Sequence, residues 1–138
     1  MTVIQKSIVA LAALILLGCG PKEEQLLEPR AASERLARGE LLVDVREADD
    51  YLEFHIPNSK NMPLGRFATR LAELEPYRNK TIMLIDHSGM RAPRALEQLE
   101  KAGFAQVLVV KEGMVGWKAA GLSVEKMEMP PQPGPGSK

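Results

Sequence analysis

Apolar and polar positions along this chain fall into blocks that switch between two periods. Pro29 opens a stretch through Leu36 that Gly39 closes, matching the Pro-first, Gly-last asymmetry of a helix. Leu41-Leu42-Val43-Asp44-Val45 is a short apolar run of strand length. Phe67, Leu71 and Leu74 return to helical spacing, with Pro76 near the end of that segment. Thr81 to Ile85 is a second buried-strand candidate, and Ala105 to Val110 a third. Between them, Ala92, Ala95, Leu96 and Leu99 form one face at i, i+3, i+4 and i+7, and Gly103 stops the helix. Met114 to Ala120 is a last helix before Gly121. Strands separated by helices predict an α/β domain with a parallel sheet covered on both faces.

The two ends of the chain break this pattern. Lys6 precedes an unbroken apolar run from Ile8 to Leu17, followed by Gly18-Cys19. That run is about half the roughly 20 residues a spanning helix needs, so it reads as a secretory signal. Leu16-Leu17-Gly18-Cys19 resembles a bacterial lipobox, in which cleavage before the cysteine leaves it as a lipid-modified N-terminus. The expected organisation is a signal peptide over 1–18, then lipidated Cys19 and a polar tether to residue 27. The folded domain would cover 28–126 and a Pro/Gly-rich tail 127–138. The resemblance places the protein on the periplasmic side of a bacterial cell envelope, held to the membrane through lipid on Cys19. Gly20 after the cysteine favours the outer membrane over the inner.

Composition narrows the chemistry. Eighteen basic and eighteen acidic residues cancel, and removal of residues 1–18 leaves 17 bases against 18 acids. No nucleic-acid partner is expected from that balance, and the lipid would have to do the anchoring. Cys19 is the only cysteine. If its sulfur carries lipid, the mature chain has no thiol for a disulfide, a thiolate metal site or a cysteine nucleophile.

Three separated motifs then carry a family resemblance. Asp44-Val45-Arg46-Glu47 with Tyr51 leads into His55-Ile56-Pro57-Asn58-Ser59-Lys60-Asn61-Met62-Pro63-Leu64. Thr81 to Pro93 reads as a strand, a tight polar loop (Asp86-His87-Ser88-Gly89-Met90-Arg91) and a helix start. Glu112-Gly113-Met114-Val115-Gly116-Trp117 precedes Ala120-Gly121-Leu122. Together these resemble the rhodanese (sulfurtransferase) family, which implies a three-layer αβα fold around a central, mainly parallel sheet. In that family the loop runs from a catalytic Cys at its first position to an Arg at its sixth. Here Gly89 and Arg91 are kept and Asp86 takes the Cys position. Other departures are Ala92 for Ser, Asn58-Ser59 for Gly-Ala and Glu112 for Gly, but only Asp86 changes the chemistry outright.

A carboxylate cannot form a persulfide. The resemblance implies a loop whose backbone N–H groups point inward as an anion nest, aided by the adjoining helix dipole. Asp86 is therefore expected to fold into its own cradle as a built-in anion, with Arg91 as its partner across the loop. A second anion about 4 Å away would meet a repulsion of about 4 kcal/mol at an effective dielectric of 20, so external anions should bind weakly. An aspartyl-phosphate reaction would need Mg²⁺ and further carboxylates, and only Asp44 can be brought near. His55 and His87 with Asp86 would make a conceivable metal set, yet neither histidine has ligand spacing and His55 belongs to the turn motif. No catalytic residue, metal or cofactor is expected. The leading expectation is a catalytically silent binding or regulatory module whose surface is Asp86, His87, Ser88, Met90 and Arg91, with Met90 as an apolar handle and an envelope protein as partner. The alternative is an enzyme, either sulfur handling that uses a partner's thiol or an Asp-based reaction on a sulfur- or phosphate-containing anion.

Overall fold

A run of alternating apolar residues that is buried on both sides has to be shared between two layers, and the strands divide it cleanly. In the computed structural model, which describes residues 20–127, β1 (Leu26–Leu27), β2 (Leu41–Asp44), β3 (Lys60–Asn61), β4 (Thr81–Ile85) and β5 (Gln106–Val110) form one sheet. Its order is β1-β5-β4-β2-β3, and every pairing is parallel. The expected signal peptide over 1–18, the expected lipidation site Cys19 and residues 128–138 of the expected tail lie outside the described residues.

Val43, Val45, Ile82, Leu84, Val107 and Val109 face one core. Leu42, Met83, Ile85, Leu108 and Val110 face the other. The first core is covered by α3 (Leu64–Phe67), a 3-10 stretch (Ala68–Tyr77) and α4 (Ala92–Lys101) through Phe67, Leu74, Ala95, Leu96 and Leu99. The second is covered by α1 (Pro29–Ala37) and α5 (Gly113–Ala119) through Ala32, Met114 and Trp117. The three-layer αβα expectation therefore holds, and the sheet is wholly parallel.

Two expectations are corrected. The helix expected through Phe67, Leu71 and Leu74 is one α-turn followed by 3-10 backbone that contains Pro76. Proline lacks an N–H and its ring crowds the carbonyl four residues back, which disfavours a continuous α-helix there. The stretch read as tether to residue 27 is also shorter. Glu23–Gln25 forms a 3-10 turn, and Leu26–Leu27 adds an edge strand to β5. A short α2 (Ala48–Glu53) escapes the apolar pattern because it buries no residue.

The topology points to one edge of the sheet. The chain leaves β2 towards β3 on one side and β4 towards β5 on the other. The crevice outside the carboxyl ends of β2 and β4 is thus where strand order reverses, the usual ligand position in open α/β sheets.

Candidate functional site

β4 ends at Ile85, and Asp86 follows it into the interior with 1% of its surface exposed. The loop then turns back over the carboxylate. Oδ1 accepts the backbone N–H of Gly89 at 2.5 Å, and Oδ2 accepts those of Arg91 at 2.6 Å and Ala92 at 2.8 Å. Gly89 makes the turn with φ of 91°, a region that side chains disfavour. Three short charge-assisted bonds fill most of the acceptor capacity of a carboxylate. The cradle is occupied by its own side chain, as expected.

Arg91 plays a different part from the one expected. It supplies a backbone N–H, and its guanidinium forms no ion pair with Asp86. The nest donors already meet both carboxylate oxygens from inside, while the Arg91 side chain is exposed. His87, Ser88 and Met90 also face outward, and Gly89 is half-buried. Met90 is 79% exposed, the most exposed of the large apolar side chains among the described residues.

The loop is clamped from beneath by α5. Met114 N–H donates to the Asp86 carbonyl at 2.8 Å, and Val115 N–H to the His87 carbonyl at 3.0 Å. Gly113, at φ of 52°, passes so close that a Cβ would strike the Asp86 carbonyl, its Oδ1 and the His87 carbonyl carbon. Glu112 before it holds a left-handed conformation with φ of 56°. Sequence reasoning placed Gly113 in a motif without giving it a role. The available signal was a glycine opening a helix, where a side chain would ordinarily be favoured.

The neighbouring strand end carries a second buried network. Arg46 reaches Asp44 through Nη2 to Oδ2 at 2.8 Å and through Nε at 3.1 Å, and its Nη2 also donates to the Phe54 carbonyl at 2.8 Å. Asn61 Nδ2 donates to the Asp44 and Arg46 carbonyls and ties β3 to this turn. His55 is buried, stacked on Tyr51, with Nδ1 at 2.8 Å from the Tyr51 carbonyl and Nε2 at 2.9 Å from Glu125 Oε1. Glu125 was not singled out from sequence; it pairs with His55 by an antiparallel bridge between segments 70 residues apart. The structure thus gives His55 a structural setting and leaves His87 at the surface. Among the described residues no three His, Asp or Glu side chains gather within range of a metal ion.

One cleft flanks the loop, and a second lies past the ends of β2 and β3. The first, of about 510 Å³, lies beside Ser88 and Gly89 and is bordered by Glu28, Pro29 and Lys111. Glu28 closes its rim through a 2.6 Å bond from Lys111 Nζ and pushes the Lys111 pKa up. The other, about 520 Å³, lies between Glu47, Asn61, Arg66 and Arg70. There Arg70, and after it Lys60, hold the Glu73 carboxyl down at about 2 by hydrogen bonding to its charged form.

Residues 28–120 match the family described as Rhodanese-like domain. The chain belongs to that family. The rhodanese-like chain is 40% identical over 96 residues to protein YibN of Escherichia coli (strain K12), an alignment spanning 67% of each chain. It is also 40% identical over 76 residues to the putative sulfur carrier protein YrkF of Bacillus subtilis (strain 168), covering 55% of this chain and 40% of that one. Its fold superposes on a rhodanese-related protein from Thermoplasma volcanium with a TM-score of 0.67 and 26% identity, covering 75% of this chain and 99% of the other. The chain is thereby related to sulfur-carrier and sulfurtransferase proteins.

Proposed function

We propose that this chain is a catalytically silent rhodanese-like domain, held at the cell envelope by lipid on Cys19, that binds a partner protein through its loop. The observation that carries the reading is the Asp86 carboxylate, bonded to the Gly89, Arg91 and Ala92 N–H groups at the position where the loop's resemblance would put the family's cysteine. A thiolate there would use those donors to accept a sulfane sulfur. The carboxylate consumes them, has no sulfur to give, and repels an arriving thiosulfate. What remains for recognition is the outer side of the loop: His87, Ser88, Met90 and Arg91, all exposed.

The soluble domain is expected to release no thiocyanate from thiosulfate and cyanide, and any enzyme-dependent release counts directly against silence. Asp86→Cys separates geometry from chemistry. A persulfide at position 86, read as one added sulfur on the peptide that contains it, supports a loop that kept its form after losing its nucleophile. For the binding role, crosslinked pull-downs from membranes compare the native chain with Met90→Ala/Arg91→Ala. A partner lost from the variant supports the loop as the contact, whereas identical capture lists move function elsewhere. Loss of lipid labelling in Cys19→Ser tests the anchor.

The relationship to a putative sulfur carrier favours one second reading, an enzyme that relays sulfur on a partner's thiol. Turnover in the partner's presence that disappears in Asp86→Asn would select it.

A further inference from the structure

The chain as a whole has no net charge, but its cations are not evenly spread. Residues 54–72 contain Lys60, Arg66 and Arg70 and no acid, and residues 87–96 contain Arg91 and Arg94 and no acid. The fold brings the two segments together, because α3 packs against α4 on one side of the loop. Lys60 and Arg70 share the single carboxylate of Glu73 there, at 3.1 and 2.6 Å. Arg66, Arg91 and Arg94 have no acidic partner among the described residues, and all three are exposed. Every other described arginine makes an ion pair or, in Arg30, a bond to the Ala120 carbonyl. The unpaired guanidiniums among the described residues are therefore Arg91, next to exposed Met90, Arg94 in the first turn of α4, and Arg66 on α3, which packs against α4.

The exposed apolar side chain beside them decides which anionic surface they suit. Met90, 79% exposed and next to Arg91, calls for an apolar side chain in whatever binds. A peptide supplies that beside its carboxylates, and a lipid headgroup does not.

We propose that Arg66, Arg91 and Arg94, together with Met90, dock a carboxylate-rich segment of a partner protein that carries an apolar side chain for Met90. This rests on the loop's being a binding surface, and it names the partner's chemistry. Guanidiniums suit carboxylates through paired N–H donors, and an unpaired exposed guanidinium gives up little on binding.

The test uses the full-length lipidated chain in neutral detergent and a short fluorescent peptide of Asp, Glu and Leu. The peptide is expected to bind, and Arg66→Gln/Arg91→Gln/Arg94→Gln to weaken it about tenfold, since three exposed charge pairs are lost together. Lys22→Gln/Lys80→Gln/Lys101→Gln removes the same charge from the opposite edge and should change affinity less than about twofold. The conservative triple Arg→Lys at 66, 91 and 94 should hold affinity within about threefold. Absence of peptide binding, or equal losses in the two glutamine triples, overturns the proposal. So does binding of unlipidated Cys19→Ser chain to phosphatidylglycerol vesicles that the arginine triple abolishes, with no peptide binding; this assigns the patch to lipid. If the pull-down still depends on Met90 and Arg91 while the peptide assay fails, the loop remains a binding surface and only the acidic partner is lost.

Discussion

Two buried aspartates stand at the carboxyl ends of adjacent strands, and they are neutralised in opposite ways. Asp44 closes β2 and is met by the Arg46 guanidinium, a full charge on a side chain. Asp86 follows β4 and is met only by backbone N–H groups of its own loop. In the first case each partner depends on the other, and deleting one strands a buried ion. In the second the counter-charge comes from main-chain donors, whose placement depends on the turn at Gly89 and on the loop's bonds to α5.

The comparison breaks most sharply at Asp44. Asp44→Ala is expected to cost about 3–5 kcal/mol in urea unfolding, because Arg46 remains buried without its partner. A cost below about 1 kcal/mol would mean that Arg46 escapes to water and that the two ends are less different than their contacts imply.

Gly113→Ala should come next. A side chain at φ of 52° costs about 1–2 kcal/mol and forcing the Cβ into the Asp86 carbonyl adds about 1–3 kcal/mol. Amide exchange at Gly89, Arg91 and Ala92 should rise with it, since those donors lose their fixed acceptor. Asp86→Asn should cost about 1–3 kcal/mol, because an amide turns an N–H towards N–H donors. If Asp86→Asn exceeds Asp44→Ala, the backbone nest is the stronger dependency and the contrast is reversed.

The smallest effect is a matter of pH at Glu73. Arg70 and then Lys60 lower its pKa to about 2 from an ordinary 4.5. A lowered folded-state pKa contributes stability that is present above the unfolded value and lost as pH falls through the folded one. The stability gap between the native chain and Glu73→Gln should therefore be full above pH 4.5 and close towards pH 2. A gap independent of pH would show that packing, not charge, sets it.

How much of this was legible follows the length of each signal. β2, β4 and β5 each carry three or four residues of continuous apolar sequence and were readable. β1 and β3 are two residues long, too short for any period, so Leu26–Leu27 passed for tether. α2 is acidic and buries nothing, which leaves no stripe to read. At the site, a self-filled cradle was foreseeable from Asp86 and the loop pattern. That Arg91 contributes its N–H and not its guanidinium was not, since a residue's identity says nothing about where its backbone points. Glu125 was hidden for another reason, as its partnership with His55 joins distant parts of the sequence.

The short β1 strand has a mechanical meaning. Leu27 gives its carbonyl to Lys111 N–H at 2.9 Å, and Lys111 stands two residues before Gly113, which presses against Asp86. A pull on Gly20 away from the domain loads this seam as shear along two parallel strands. Only Glu112 separates Lys111 from the glycine beneath the loop, so tension on the start of the described chain reaches the Asp86 cradle through a single residue.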